Sequence, residues 1–415
     1  MTIDRIERVV VTPIAFPDPP LLNVAGIHEP LALRTIVQVY TANGQVGVGE
    51  AHGGAALLQT IHLAGRTVTG MSSYEIENAR SAVHRQLPHL AERAFAPIEV
   101  AMLDAFAQRI NCRVVDLLGG AAREHAEFAG YLFYKLAHHL DADQPDQWGE
   151  VLTAAQVVDI AQRMHRDFGF TSWKLKGAVH PISTELDAIM ALRDAFPAAP
   201  LRLDPNARWS MMAAYEAGER MRGTLEYLED PAAGHAAMVE LTAQGPLPTA
   251  TNMRAGSTAD TLRTIAHRAA DIVLLDHHVV GGLRRAVELS RLCHAAGIGV
   301  SMHSNSHLGV SMAAMTHLAA AVRGDTRAND THYPWNRDHD IIVGGPIPIV
   351  DGHVQVPEGP GLGVQVDDDQ LAQAHQRYVE TTIRERNDAA YARCLIPDFS
   401  TDTEPWTTHR SGWFH

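Results

Sequence analysis

Residues Ser172–Ala207, SWKLKGAVHPISTELDAIMALRDAFPAAPLRLDPNA, decide the fold. SWKLKG reads as a short buried strand, ELDAIMALRDAF as an amphipathic helix and LRLDPNA as a second strand. Strand, helix, strand is one parallel crossover unit. Within it, Lys174 and Lys176 fall on one face of their strand, because side chains alternate sides. Two ammonium groups aimed at one spot repel each other, so a chemical purpose is expected of them.

The same rhythm runs outward in both directions. FAGYLFY (Phe128–Tyr134) precedes the unit, and LEYLEDP (Leu225–Pro231), PTATN (Pro248–Asn252), DIVLLD (Asp271–Asp276) and GIGVSMHS (Gly297–Ser304) follow it. Helical stretches such as DTLRTIAHRAA and LRRAVELSRLCHAAG lie between them. Seven or eight such units predict an α/β chain whose parallel sheet closes into a TIM-type barrel. We place this barrel over residues 126–340. Residues 1–125 read as a separate α+β domain. Its hairpin turns at Asn43-Gly44 inside RTIVQVYTANGQVGVGE, and helices are predicted near Tyr74–Leu87 and Pro97–Ile110. The remaining segment, 341–415, carries a second hairpin signal at Asp351-Gly352 and the glycine-rich PEGPGLGV. No low-complexity linker separates the regions, so they are expected to pack together.

Composition narrows the function. The 415 residues are 46% hydrophobic and carry a formal charge of −14, which speaks against nucleic acid as a partner. Cys112, Cys293 and Cys394 are scattered, without a disulfide framework or a CxxC pair. Neither a signal peptide nor an apolar run of membrane-spanning length is evident, so the expected compartment is the cytoplasm, with no membrane partner.

Chemistry is concentrated where the barrel strands end. Asp204 with Asn206, Glu229 with Asp230, Asn252, Asp276, and His303 with Asn305 recur at intervals of about one strand–helix unit. In such a barrel, strand ends share one face, and that face carries function. Asp204, Glu229 and Asn252 are oxygen donors on three consecutive strands, the set a hard divalent cation prefers, Mg²⁺ first. A lone strand-end acid more often caps the next helix, but three in succession exceed that habit. Zinc finds little support, because His303 and His307 stand without an HExxH or Cys/His cluster.

A cation there could hold a substrate carboxylate and stabilise the dianion left when the neighbouring proton departs. The base that takes the proton must be neutral. Repulsion from Lys174 is expected to depress the pKa of Lys176 and make it that base. His303, oriented by Asp276, would supply an acid/base group across the barrel.

The ordered set of the KxK pair, LDPNA, YLEDP, TATNM, Asp276, HSNSH and PGLGV resembles the enolase superfamily over nearly the whole chain. Within it, Ala250–Met253 (ATNM), His303–His307, Gly130–Phe133 (GYLF) and the NxxGxH spacing of Asn23–His28 are similar to the glucarate dehydratase group. The resemblance implies a (β/α)7β barrel under an N-terminal capping domain that the C-terminal segment completes. It implies Mg²⁺ on Asp204, Glu229 and Asn252, with Lys176 and the His303–Asp276 pair as acid/base groups. Lys174 would tune Lys176 and touch the substrate carboxylate, and His28, Tyr131, Asn206 and Asn305 would contact a sugar-acid substrate. A homo-oligomer is expected. The implied activity is dehydration of an acid sugar to a keto-deoxy acid. The chain departs from the group in AERAFAPIEV, which lacks a threonine-rich stretch, in HHVVGG after Asp276, and in the THRSGWFH tail. A hydroxy-acid racemase or epimerase would use the same groups, and a non-catalytic sugar-acid-binding barrel is the reading from a different class.

Overall fold

The computed structural model describes residues 4–87 and 90–400. Seven parallel strands pair in strict chain order: Gly130–Leu132, Trp173–Lys176, Leu201–Asp204, Tyr227–Glu229, Thr249–Thr251, Ile272–Leu275 and Gly299–Met302. Residues 325–330 close the ring as an eighth, irregular strand. On one side Arg327 N donates to Val300 O (2.9 Å) and Asp330 N to Met302 O (2.9 Å). On the other, Asn329 N donates to Glu127 O (2.9 Å) and Ala129 N to Asn329 O (2.8 Å). The result is the (β/α)7β barrel.

The strand His125–Glu127 lies outside the barrel sheet and pairs antiparallel with His353–Gln355. This pairing reduces the expected hairpin at Asp351-Gly352 to a single bridge, Val350 to His353. The turn itself is sound, with Asp351 and Gly352 both left-handed (φ 50° and 73°). The strand after it finds a better partner beyond the turn.

The N-terminal region forms a three-stranded antiparallel sheet, Ile6–Pro17, Leu31–Thr41 and Val46–His52, with the middle strand central. The hairpin turns where Asn43-Gly44 predicts, with Gly44 at φ 84°. Helix Ile76–Gln86 matches one expected helix, and Ala55–Val68 adds an element to the two expected. The other expected helix begins six residues early, at Ala91, and runs through Pro97. Proline there removes an intrahelical hydrogen bond. Burial of Ala94, Phe95 and Ala96, with Phe95 beneath Arg80 of the preceding helix, holds the extra turns in place. The same helix sits directly on Gly47 and Gly49, where any Cβ would collide with the carbonyls of Ala101 and Pro97.

Beyond residue 341 the chain returns to this sheet. Leu371 and Ala374 of helix Asp368–Glu380 share a buried cluster with Ile14, Phe16, Ala32, Ile36, Leu308 and Ile341. Helix Asp388–Leu395 packs on Gly26–Ile27, bringing Arg386 and Asp388 to the barrel mouth. The THRSGWFH tail lies outside the described residues. Cys112, Cys293 and Cys394 are free thiols. Among the described residues, no helix is long and apolar enough to cross a membrane.

Candidate active site

The strand register brings the sequence-distant acids to the lysines. Lys176 pairs with Asp204 across adjacent strands, and its Nζ lies 2.6 Å from Asp204 Oδ2. Lys174 is fully buried, with Nζ 2.6 Å from Glu229 Oε2, 2.6 Å from Asp330 Oδ2 and 3.4 Å from Asp204 Oδ2. The Tyr131 ring lies 4.7 Å from Lys174 Nζ and 5.9 Å from Lys176 Nζ.

This geometry corrects the expectation of a depressed lysine. Burial alone would push Lys176 down, but Asp204, with Tyr131 and Glu229 behind it, outweighs burial and holds the ammonium above the usual lysine range. Repulsion from Lys174 is present and smaller. Lys174 is held up in the same way, by Asp330 and then Glu229 against burial. Its side chain is buried among these carboxylates and does not line the cavity.

Asp204, Glu229 and Asn252 could hold a divalent cation, and the surroundings fit one. Neither oxygen of Glu229 has a hydrogen-bond partner, nor does Asn252 Oδ1 or Asp330 Oδ1, although all four are buried. The Lys174–Glu229 contact is an ion pair by distance but not a hydrogen bond by direction. Burial, together with repulsion from Asp204, Asp330 and Asp230, drives Glu229 well above the carboxylate range despite Lys174. Buried, mutually repelling oxygen donors with spare lone pairs match the demands of a hard cation. Asp230 has a separate task. It accepts from Thr251 Oγ1 (2.5 Å) and from the backbone N–H groups of Asn252 and Met253 (3.0 Å each), fixing the turn that presents Asn252. Asn206 Nδ2 donates to Asp204 Oδ1 (2.9 Å) from a left-handed backbone at φ 49°.

A cavity of about 640 Å³ opens above this layer. Lys176, Asn206, Asn252, Asp276, His303, Asn305, Tyr131 and His28 all line it, whereas Lys174, Asp204 and Glu229 do not. His303 Nδ1 lies 3.2 Å from Asp276 Oδ2, leaving Nε2 for the cavity. The buried Asp276 also hydrogen-bonds the ring of His278, so two imidazoles converge on its carboxylate. His28 Nδ1 pairs with the buried Asp18 Oδ2 at 2.9 Å, and Asn305 Nδ2 lies 3.1 Å from His52 Nε2.

Several residues at the site were not legible in the sequence. Asp330 ends the irregular eighth strand, which has no apolar run to announce it. His332 and Arg93 line the cavity, the latter from the helix that begins before Pro97. Arg386 joins them from the C-terminal segment, paired with Asp388 at 2.8 Å and Asp18 at 3.6 Å. Strand-end position was the available signal for Asp330; for Arg93 and Arg386 there was none.

The comparisons agree with this architecture. Residues 156–370 match the family described as enolase C-terminal domain-like, and residues 8–119 match the mandelate racemase / muconate lactonizing enzyme N-terminal domain. The chain therefore belongs to the enolase superfamily. It is 40% identical to the "Probable glucarate dehydratase" of Streptomyces coelicolor, over 96% of this chain and 98% of that protein. Muconate cycloisomerase 1 of Rhodococcus opacus is 27% identical, over 82% of this chain and 90% of its own length. Among solved structures, an enolase from Mycobacterium smegmatis complexed with formate and acetate superimposes with a TM-score of 0.95 at 42% identity, covering 98% of this chain and all (100%) of that one. An enolase from Pseudomonas fluorescens with bound magnesium, potassium and tartrate superimposes with a TM-score of 0.94 at 42% identity, covering 98% and 100%.

Proposed function

We propose that the chain is a Mg²⁺-dependent acid-sugar dehydratase of the glucarate dehydratase type, which removes the proton α to a carboxylate and expels the β-hydroxyl. One observation carries the reading: Lys176 and His303 enter a single cavity from the second and seventh barrel strands, each beside a carboxylate, above an all-oxygen donor set. Magnesium held by Asp204, Glu229 and Asn252 would stabilise negative charge on the substrate carboxylate.

The chain's own groups do the rest. Lys176 Nζ and His303 Nε2 enter from strands on separate parts of the wall, so each can exchange a proton with a carbon bound between them. Lys176 gives one as the ammonium and accepts one only after its own proton has left. Asp276 keeps the His303 ring directed and balances its charge when Nε2 is protonated. A protonated Nε2 can then give its proton to the departing hydroxide. His28, held by Asp18, together with Asn305 and Arg386, offers donors to hydroxyls and to a second carboxylate further along the substrate.

The test is a screen of aldaric and aldonic acids with Mg²⁺, followed for 2-keto-3-deoxy acid. Formation of that product from at least one acid is expected. Interconversion of epimers without a keto acid would replace dehydration by epimerisation, a chemistry represented by the hydrophobic dipeptide epimerase of Enterococcus faecalis, 24% identical over 79% of this chain and 90% of that protein.

A further inference from the structure

Behind the His303–Asp276 pair stands a second histidine. Asp276 Oδ1 accepts from the backbone N–H of His278 (2.9 Å) and from its Nδ1 (2.8 Å), which leaves Oδ2 to face His303 Nδ1. The other ring nitrogen, His278 Nε2, lies 3.0 Å from Arg34 Nη2 and 3.0 Å from Ser311 Oγ. A guanidinium has only protons to give, so Nε2 must accept, and the single ring proton sits on Nδ1, aimed at Asp276. The two neighbours thus fix a neutral tautomer from opposite ends.

Arg34 is itself fixed. Its Nε donates to Glu50 Oε1 (2.8 Å) and its Nη2 to Ser311 Oγ (3.1 Å). Glu50 in turn accepts from Leu308 N (3.0 Å) and Ser311 N (2.8 Å), at the start of the helix that follows His303. Arg34 and Glu50 belong to the antiparallel sheet of the N-terminal domain, so that domain reaches the histidine–aspartate pair through one imidazole.

We propose that His278 is a positioning residue for His303, a neutral spacer that turns Asp276 toward His303 and keeps the Arg34 guanidinium away from that carboxylate. The proposal takes His303 as the acid/base group assigned above. Its logic is competition. An arginine–carboxylate pair is charge-assisted on both sides and stronger than a bond to a neutral imidazole, so Asp276 would turn to Arg34 if the two could meet. The width of the His278 ring prevents this. The groups facing His278 from the surrounding elements are Asp276, Arg34, His52, His277 and His307, with Glu50 behind Arg34; the His277 ring is 3.8 Å away and the His52 ring 5.0 Å, centroid to centroid. His52, Asp276 and His278 also come within 4.8 Å of one another as ligand atoms. The Arg34 cation on Nε2 opposes a metal there.

The test is the pH titration of the His303 ring by NMR in the full chain, with ¹³C-labelled histidine and His303→Asn to identify its signal among the 24 histidines. His278→Asn keeps a donor where Nδ1 stands but puts nothing against Arg34; His278→Gln keeps a group facing Arg34 and leaves the backbone N–H of residue 278 as the donor to Asp276 Oδ1. His278→Ala has neither side-chain group. The His303 midpoint should fall by about one pH unit in the Ala and Asn variants, where Arg34 is free to reach Asp276, and stay within about 0.3 of the unsubstituted protein in the Gln variant. If the Ala variant does not fold, the Gln and Asn variants decide. A midpoint unmoved in folded His278→Asn, or moved equally in Gln and Asn, overturns the proposal. No substrate is used, so the result is independent of whether any acid sugar turns over.

Discussion

Lys176 Nζ lies 2.6 Å from Asp204 Oδ2 because the two residues are paired neighbours on adjacent barrel strands. The acid/base candidate therefore shares a carboxylate with the candidate cation site. A divalent cation binding Asp204 would compete with the ammonium for that oxygen. Asp204→Asn should weaken Mg²⁺ binding by roughly 100-fold and remove turnover. Calorimetric titration with Mg²⁺ checks the first effect, and an unchanged Kd would remove Asp204 from the ligand set.

Asp330 holds Lys174 from the far side, 2.6 Å from its Nζ. Without that negative charge, Lys174 has only Asp204 and Glu229 to lean on. Asp330→Asn should therefore loosen Mg²⁺ affinity by about tenfold, through ammonium competition at two ligands, while the fold survives. Equal affinity in a folded variant would mean that Lys174 does not engage the ligands in solution.

If Lys176 and His303 serve two sides of one carbon, each should exchange the α-proton of one configuration with solvent deuterium. Lys176→Ala should lose exchange for one epimer by about 100-fold or more, and His303→Asn for the other. His303→Asn should also lose elimination. The same loss for both epimers in both variants would reduce the pair to a single base.

His28 is held by Asp18, which also accepts from Ser306 Oγ (3.1 Å) and Asn336 Nδ2 (2.8 Å). The imidazole is thus pinned at the cavity wall, away from the carboxylate layer. His28→Ala should change the ratio of kcat/KM between acid sugars by about tenfold and leave Mg²⁺ affinity untouched. Rates that fall in proportion on every substrate would deny it a role in selection.

His180, His307 and His317 are buried and neutral, burial holding each down to about 4. Unfolding returns them to about 6.5, so the unfolded chain binds more protons on the acid side. Their contribution to stability is complete above about pH 6.5 and is lost as pH falls toward 4, at up to ~1.4 kcal/mol per pH unit for each histidine. His317 is the simplest to test, because Nδ1 accepts from Val115 N and Nε2 donates to Leu362 O, both at 3.2 Å. Urea unfolding of His317→Gln between pH 7 and 5 should show an acid slope flatter by about one proton. Identical slopes in the two proteins would mean His317 titrates normally when folded.

The periodicity around Ser172–Ala207 and its repeats by itself determined the barrel, because a strand–helix alternation has few ways to bury both faces of a parallel sheet. The strand-end residues were legible for a related reason: in such a sheet, position along the chain translates directly into position on the mouth. Tertiary structure alone decided how those residues treat one another. Lys174 was expected to depress Lys176, yet the short chain separation that suggested repulsion is outweighed by Asp204, Tyr131 and Glu229, brought in from three other strands. Asp330 stands on a strand without apolar rhythm, Arg93 on a helix that passes through a proline, and Arg386 and Arg34 on segments that reach the mouth only after the chain ends fold back. Their places depend on packing between distant segments, and charge acts through space rather than along the chain. The local pattern could therefore specify the frame, while the electrostatics of the site was set only when that frame closed.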